Sequence, residues 1–384
     1  MSLGEIKIVT EVYNKAVKEY KWQKELECLA SLKLLYCREG DRVKDTKRVV
    51  AKWKLALEKY MKLYRSKLTP QQLRTYSEDL KNCYKYESEY LFESFLFYME
   101  WNRPNTERFY HPRQKQLKVC VDAMQDLTDG KIKILGISLP ARIGKSTLGL
   151  FFCLWVGARN HKQSVFLSGH STALVKTFYS ELLSLATDDK YNYRYIFPDA
   201  QLVDTDALNG GIDLGEPKRY HTFALKSIDQ RISGQIEASS LLYVDDLISG
   251  TEEASKPERL DNALAKYLGD IKQRRTDNVP LLMIGTRWSL NDPIGIEERE
   301  HADDPMAKFI VMPALDEEGK SNFDFPYKGF STAYYMARKR ELDMIDESWF
   351  PCQYQQIPME GSGICFGERT LNRYYGNDTL NREE

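Results

Sequence analysis

The fold is decided by a nine-residue segment, Leu139-Pro140-Ala141-Arg142-Ile143-Gly144-Lys145-Ser146-Thr147. The apolar run 132–137 before it predicts a strand, and the apolar run 147–156 after it predicts a buried helix. A phosphate-binding loop needs this context, because its backbone N–H groups and the helix N-terminus present partial positive charge to phosphate oxygens. The segment therefore predicts a phosphate site. The alternative is an ordinary turn that contains Gly-Lys-Ser.

Within this segment, the Lys145 ammonium is expected to reach the β- and γ-phosphates of a nucleotide, and the Ser146 hydroxyl to hold Mg²⁺. Leu139 stands where the motif usually has its first glycine. We therefore predict ATP and Mg²⁺ as cofactors. The residues predicted to contact the nucleotide phosphates are Arg142, Ile143, Gly144, Lys145, Ser146 and Thr147.

Two carboxylates follow another apolar run, Leu241-Leu242-Tyr243-Val244-Asp245-Asp246. Ligands bind open α/β sheets at the carboxyl ends of their strands, so this is where acidic groups can meet a bound nucleotide. We assign Asp245 to the metal ion, and Asp246 to the orientation or deprotonation of the attacking water. The alternative is that the two acids only mark a strand end and a solvated turn.

A third strand, 281–284, ends in Gly285-Thr286-Arg287-Trp288. If it lies beside the first two, Thr286 or Arg287 can approach the γ-phosphate and respond to hydrolysis. The alternative is that Arg287 and Trp288 cap the edge of the sheet.

Upstream of the loop, Tyr110-His111-Pro112-Arg113-Gln114 suits recognition of a base. Arg113 and Gln114 match the polar edge of an adenine, and Tyr110 can stack on its face. On physical grounds alone, a turn that caps a helix beginning near Arg113 is an equal alternative.

Two arginines are candidates for stabilising charge on the transferring phosphoryl group. Arg142 lies inside the loop, and Arg231 lies in Asp229-Gln230-Arg231-Ile232-Ser233-Gly234, ahead of the acidic strand. The alternative for Arg231 is an ordinary surface residue.

The wider sequence predicts an α/β fold with a mainly parallel sheet, preceded by an α-helical N-terminal region. Thr69 and Pro70 predict a helix start, as N-cap and first helical residue. We expect three parts: helical residues 1–100, a core at 101–315 and a lid or linker at 316–384. Further strands are predicted at 165–167 and 309–311, and helices at 172–186, 257–275 and 334–343.

Charge is distributed unevenly along the chain. The 384 residues carry 55 basic and 56 acidic side chains, a net charge of −1. Residues 42–85 contain 13 basic and 4 acidic residues, 13 − 4 = +9, so the remainder carries −1 − 9 = −10. Aromatic residues are interleaved there, so the segment can bind DNA phosphates. The alternatives are a solvated amphipathic helix whose aromatics form its own core, and a docking surface for a partner protein.

Composition places the chain among folded proteins of the cytoplasm. Its 7 cysteines form no Cys-x-x-Cys pair, which favours reduced thiols over disulfides or a zinc site. The longest apolar run, 148–158, is shorter than the roughly 20 residues that a membrane span needs. The first residues resemble no secretory signal, so we expect a cytoplasmic protein.

Taken in order, these motifs resemble those of the large subunit of tailed-bacteriophage terminases. The resemblance extends over residues 90–366, and 350–358 resembles the segment that follows the ATPase core in that family. Its specificity lies in the ordered set, above all the proline–arginine loop together with the Gly-Thr-Arg-Trp strand. The matching stretches are 110–114, 139–146, 168–171, 231–234, 244–246 and 285–288.

The resemblance implies a P-loop NTPase of the additional-strand type, which drives double-stranded DNA into a procapsid as a homo-oligomeric ring docked on the portal protein. It implies the small terminase subunit as a further partner and a monomer when isolated. It also implies a location in the cytoplasm of the infected bacterial host, with no membrane and no stable place in the mature virion.

Family roles carry over residue by residue. Lys145 and Ser146 match the loop's ligands, Asp245 the acid that holds Mg²⁺, and Thr286 the coupling motif. Asp246 matches the catalytic carboxylate, which is Glu in many members. Arg142 matches the loop arginine. A trans-acting arginine finger is a family feature, and its placement at Arg231 is our hypothesis.

The family normally continues into a nuclease domain with clustered acids. After Gly367 the only acids are Glu368, Asp378, Glu383 and Glu384, so we expect the packaging ATPase part without endonuclease activity. Two other functions stay open: a helicase-like DNA translocase or repair ATPase, and a scaffold protein that binds nucleotide without hydrolysing it.

Overall fold

The computed structural model describes residues 2–38, 42–230, 232, 236–327 and 329–358. No helix in these ranges is long and apolar enough to cross a membrane. The helices are α1 (Ser2–Lys18), α2 (Trp22–Arg38), α3 (Val43–Leu63), α4 (Pro70–Glu87), α5 (Phe92–Met99), α6 (Gln114–Thr128), α7 (Lys145–Arg159), α8 (Thr172–Thr187), α9 (Tyr193–Ile196), α10 (Thr251–Ala254), α11 (Pro257–Lys266), α12 (Pro293–Glu300), α13 (Thr332–Asp343) and α14 (Trp349–Gln355). The strands are β1 (Ile134–Ser138), β2 (Val165–Gly169), β3 (Leu202–Asp206), β4 (Gly211–Leu214), β5 (Phe223–Ser227), β6 (Leu241–Asp245), β7 (Leu281–Gly285) and β8 (Ala307–Val311).

Two compact units divide the chain. The first contains the described residues within 1–104 together with 189–198, and the second contains 105–188 and the described residues from 199 onward. The short segment 189–198 groups with the N-terminal helices, where the Asn192 side chain donates to the Tyr98 carbonyl at 2.8 Å and accepts from Asn102 at 2.9 Å. Residues 316–358, which the sequence predicted as part of a lid or linker, group with the second unit.

The first unit is helical, as its sequence periodicity predicts. Val50, Trp53 and Leu57 on α3 are buried against α2 and α4. The predicted helix start at Thr69 is confirmed: its hydroxyl accepts the Gln72 N–H at 3.2 Å, and the Gln72 side chain accepts the Thr69 N–H at 3.0 Å. This reciprocal capping satisfies backbone donors that an uncapped helix would leave free.

The aromatic residues of segment 42–85 take part in the unit's own packing. Trp22 stacks on Tyr64 with ring centroids 5.0 Å apart, and the Tyr60 hydroxyl donates to Glu25 at 2.6 Å. The Tyr84 hydroxyl donates to Glu58 at 2.5 Å, and Trp53 is buried. This arrangement favours the interpretation in which these aromatics form a core rather than a surface for stacked bases.

The second unit contains an eight-stranded sheet in the order β3-β4-β5-β2-β6-β7-β1-β8. The strands from β5 to β8 in this order pair in parallel, so the coarse prediction of a mainly parallel α/β sheet is confirmed. β3, β4 and β5 were not predicted, and β4 pairs antiparallel with both of its neighbours. β3 is largely exposed, and β4 and β5, although largely buried, are short and interrupted by Asp213 and Lys226, so none of the three has the continuous apolar pattern of a buried strand.

One predicted helix is wrong in its extent. Instead of one helix over 257–275, α11 ends at Lys266, and a π-helical turn (Tyr267–Ile271) and a 3₁₀ turn (Lys272–Arg274) follow. The change in winding leaves Tyr267 and Ile271 both fully buried, and the Tyr267 hydroxyl donates to Glu297 at 2.9 Å. A tertiary contact therefore overrides the local helical pattern here.

Three neighbouring strands position the candidate site. β7 lies between β1 and β6, with Ser138 opposite Gly285 and Asp245 opposite Ile284. Because all three strands run in parallel, the loops that follow them open at the same edge of the sheet. The segments that carry Lys145, Asp246 and Thr286 therefore converge there.

Candidate functional site

The Gly-Lys-Ser loop (residues 139–147) has two residues in left-handed backbone conformations. Gly144 has φ = 99°, and a Cβ atom at this position would lie 2.4 Å from the Phe109 ring. Arg142 has φ = 67°, which is uncommon for a residue with a side chain. Leu139 and Ile143 are completely buried, so Leu139 in place of the first glycine anchors the loop in the core. Helix α7 begins directly at Lys145.

Lys145, Asp246 and Thr286 meet at the carboxyl ends of β1, β6 and β7. The buried Lys145 ammonium lies 3.3 and 3.2 Å from the two Asp246 carboxylate oxygens and donates to the Thr286 hydroxyl at 2.5 Å. The Thr286 N–H donates to Asp246 Oδ1 at 2.8 Å. One carboxylate oxygen of Asp246 is thus shared by an ammonium and a backbone amide, which fixes its direction.

The Asp246 backbone is held in a left-handed conformation, with φ = 43°. Its N–H donates to the Ile284 carbonyl at 2.9 Å, and its own carbonyl lies 2.9 Å from His170 Nδ1. A Cβ atom at Gly285 would lie 3.3 Å from Asp246 Oδ1. The neighbouring strands thus hold the Asp246 backbone in this conformation. Uncommon backbone conformations of this kind often occur at functional sites.

Asp245 is completely buried at the end of β6, and its Oδ2 accepts the Tyr243 hydroxyl at 2.6 Å. Burial, together with the neighbouring Asp246 charge, raises the pKa of the Asp245 carboxyl well above its usual range. Hydrogen bonds from Tyr243 and Ser146 and the charge of Lys145 oppose this rise in the Asp245 pKa. Among the described residues, Asp245 Oδ1 has no hydrogen-bond partner.

The donor set at Asp245 fits a small divalent cation. A buried carboxylate oxygen without a partner is costly unless something compensates it, and the nearby Ser146 hydroxyl is one of the groups that lower the pKa of the same carboxyl. The described residues contain no group of three or more His, Cys, Asp or Glu side chains that could enclose a metal ion. One carboxylate and one hydroxyl suit Mg²⁺, because Mg²⁺ usually takes one or two protein groups plus phosphates and waters.

The upstream residues predicted to bind adenine lie close to the loop, in other arrangements. Arg113 is buried, its Nε donates to the Ile143 carbonyl at 3.0 Å, and Nη1 donates to the Phe109 carbonyl at 2.8 Å. Its guanidinium also lies 5.0 Å from the Phe109 ring centroid. Tyr110 is completely buried, so its ring has no open face for a base in this conformation. Gln114 is the first residue of α6 and is half-buried.

This geometry favours the alternative in which segment 110–114 forms a turn that leads into a helix. A 3₁₀ turn spans His111–Arg113, and α6 follows directly. Arg113 supports the Gly-Lys-Ser loop from beneath by bonding to the Ile143 carbonyl.

The structure distinguishes the roles of Thr286 and Arg287, which the sequence left open at the end of β7. Thr286 lies at the site, whereas the Arg287 side chain is turned away from it and pairs with Asp292 and Glu298. Asp292 caps α12 by accepting the Gly295 N–H at 2.7 Å. Arg287 therefore stabilises the turn that follows the strand. Arg142 is exposed at the mouth of the loop, and Arg231 lies outside the described residues.

Sequence reasoning missed the contacts that three groups make at the site. Tyr243 bonds to Asp245, His170 approaches the Asp246 carbonyl, and the Gln356 side chain accepts the Arg287 N–H at 3.3 Å. Tyr243 had a readable signal, because residues two apart on a strand face the same side of the sheet. His170 and Gln356 are far from their partners in sequence, and no local pattern connects them.

Comparison with known proteins gives no further assignment. No protein-family model matches this chain, and no curated protein matches it. The assignment of a function therefore depends on the site's geometry and on the order of the motifs.

Proposed function

We propose that this protein is an Mg²⁺-dependent ATPase that drives double-stranded viral DNA into a procapsid. The proposal depends above all on one observation: Lys145, Asp246 and Thr286 converge beside a buried carboxylate whose Oδ1 lacks a partner in the described residues. The position of β7 between the strands of Lys145 and Asp246 supports a P-loop NTPase of the additional-strand type. The order of motifs supports the terminase assignment.

In the proposed reaction, the backbone N–H groups of the Gly-Lys-Ser loop and the N-terminus of α7 bind the nucleotide phosphates. Ser146 and Asp245 would hold Mg²⁺, which supplies positive charge to the β- and γ-phosphates when bound. Lys145 leaves Asp246 for the γ-phosphate, because an ammonium binds a multiply charged phosphate more strongly than one carboxylate.

Release of Lys145 prepares Asp246 for its own role. Without that ion pair, the carboxylate is free to accept a proton from, or to orient, the attacking water. The Thr286 N–H keeps one oxygen of Asp246 in place during this change. Thr286 is therefore suited to transmit the state of the γ-phosphate to β7, since it contacts both Lys145 and Asp246.

The remaining partners follow from the resemblance alone. We propose assembly as a ring on the portal protein, delivery of DNA with the small terminase subunit, and weak turnover by the isolated monomer. The exposed Arg142 is suited to act at the phosphates of its own subunit. Arg231 stays our hypothesis for a finger that acts on a neighbouring subunit.

The test is DNA-stimulated phosphate release by Lys145→Ala and Asp246→Asn, with the exposed Lys131→Ala as the control. Each site variant should lose activity by about 100-fold or more, because a phosphate ligand or the water-orienting base is removed. The control should keep its activity. Activity that survives in either site variant would overturn the assignment. Tight ATP binding without phosphate release by the unaltered protein would instead indicate a nucleotide-binding scaffold.

A further inference from the structure

The outward face of α3 is almost entirely cationic. At 3.6 residues per turn, residues 44, 48, 52, 55, 59 and 62 lie within an arc of about 80° around the helix. All six are exposed, and Leu55 is the only residue among them without a positive charge. We call the five cations the basic face: Lys44, Arg48, Lys52, Lys59 and Lys62.

The cations of the basic face lack acidic partners, unlike lysines elsewhere on the same helix. Lys54 is turned toward the helices and pairs with the buried Glu87, and Lys47 lies 3.9 Å from the Tyr90 ring centroid. None of the five forms an ion pair with a carboxylate among the residues that the structure describes. Lys52 and Lys59 only approach the Tyr13 and Tyr60 rings, at 5.7 and 5.0 Å.

Helix stability gives no reason for this pattern. Like charges three or four residues apart destabilise a helix by about 0.2–0.5 kcal/mol per pair, and the basic face contains such pairs at 44/48, 48/52 and 59/62. The opposite side of α3 already anchors the helix through the buried Val50, Trp53 and Leu57. An external polyanion is the partner that such a face fits.

We infer that the basic face binds the phosphate backbone of duplex DNA. The face extends over about 27 Å, since each helical residue rises about 1.5 Å, and a duplex presents one negative charge per about 1.7 Å. An α-helix also matches the major groove, which is about 12 Å wide. The inference rests on the proposed function, in which DNA is the motor's track.

Duplex DNA fits the basic face better than single-stranded DNA or a protein does. Binding of single strands depends on exposed aromatic side chains, and Trp53, Tyr60 and Tyr84 are held in contacts within the unit. The centre of a protein interface is depleted in charged residues, whereas Leu55 is the only apolar residue on this face.

The test is equilibrium binding of a labelled duplex by the full chain across a salt titration without nucleotide. In the triple variant Lys44→Gln, Arg48→Gln, Lys52→Gln, affinity should fall about tenfold or more. The slope of log K against log salt should become shallower by about 2–3, because each lost phosphate contact removes about 0.9. A second variant, Lys59→Gln with Lys62→Gln, should reduce the slope by about 1–2.

The matched control is Lys7→Gln, Lys15→Gln, Lys18→Gln, which removes three exposed cations from α1. It should leave the slope unchanged, and circular dichroism should show native helix content in all three variants. An unchanged slope in both α3 variants, or an equal fall in the control, would overturn the inference. The inference would also be overturned if polyglutamate bound to the unaltered protein more tightly than the duplex does and lost affinity in the same variants.

Failure of the inference and failure of the proposed function give different results. If the α3 variants bind DNA normally while Lys145→Ala abolishes phosphate release, DNA binding by the basic face is refuted and the assignment of the ATPase site is supported. If the α3 variants lose DNA binding while Lys145→Ala keeps full activity, DNA binding by the basic face is supported and the assignment of the ATPase site is refuted.

Discussion

At the scale of single residues, the close packing of α7 against the Tyr243 side chain restricts which residues the candidate site tolerates. Gly149 on α7 faces the Tyr243 hydroxyl, and a Cβ atom there would lie 2.2 Å from that oxygen. The same hydroxyl donates to the buried Asp245. A glycine in the middle of a helix is therefore required for the packing that holds the carboxylate, although it lowers helix propensity.

Gly149→Ala should consequently destabilise the protein by about 1–3 kcal/mol, because overpacking displaces Tyr243 from Asp245. The free energy of unfolding in urea measures this effect. Gly4→Ala is the control: it also lies in a helix, and nothing lies within 4 Å of the Cβ position. Ala raises helix propensity at both positions, so a gain in stability in Gly149→Ala equal to that in Gly4→Ala would show that Tyr243 moves without cost.

Asp245 should give the metal-free protein a pH-dependent stability. Burial raises its pKa above the unfolded value of about 4, so the folded chain favours the protonated carboxyl. The stability from this group is therefore present below the unfolded pKa and is lost as pH rises through the folded pKa. Ionisation of Asp245 destabilises the site until a cation neutralises it.

As pH rises from about 5 to about 8, the free energy of unfolding of the unaltered protein should fall by about 1–3 kcal/mol more than that of Asp245→Asn. Urea unfolding in the presence of EDTA measures both. Asn keeps the shape of the side chain and cannot ionise. The exposed Asp122→Asn should match the unaltered protein at both pH values. Parallel pH profiles for Asp245→Asn and the unaltered protein would contradict the role of burial.

At the scale of elements, the turn before α6 supports the Gly-Lys-Ser loop. Arg113 bonds to the Ile143 and Phe109 carbonyls, so we regard it as a positioning residue. Arg113→Gln should raise the KM for ATP about 5- to 20-fold with a smaller change in kcat, since about 1–2 kcal/mol of loop ordering is lost.

The ratio of ATP to GTP turnover separates this role from base recognition. A positioning residue affects both nucleotides equally, so Arg113→Gln should leave the ratio unchanged, as should the control substitution of the exposed neighbour, Lys115→Gln. A selective loss of ATP turnover would restore Arg113 to the adenine-binding role that the sequence predicted.

Several elements could be predicted because their signals are local. The buried strands β1, β6 and β7 are continuous apolar runs, and each predicted strand lies within one or two residues of its observed bounds. The helix start at Thr69 was predicted from its N-cap and proline. In contrast, β3 has an exposed pattern, so its pairing with β4 depends on partners that the local sequence does not specify.

At the scale of the whole molecule, charge is segregated between parts of the chain. Residues 42–85 carry +9 within a net charge of −1, and α3 presents five of those cations on one exposed face. The near-zero net charge therefore hides a local concentration of positive charge on one helix face. Aromatic residues in the same stretch contribute to the helical core instead, which periodicity alone left undecided.

The sequence by itself determined the helical N-terminal region, the buried strands β1, β6 and β7, the Gly-Lys-Ser loop at the start of a buried helix, and the acids at the end of a buried strand. These follow from local physics, since apolar runs, caps and glycines act on neighbouring residues. Tertiary structure alone decided that β7 lies between β1 and β6, so that Lys145, Asp246 and Thr286 touch. It also turned Arg113 toward the loop and Arg287 away from the site. These contacts join residues distant in sequence, and only strand order and packing bring them together.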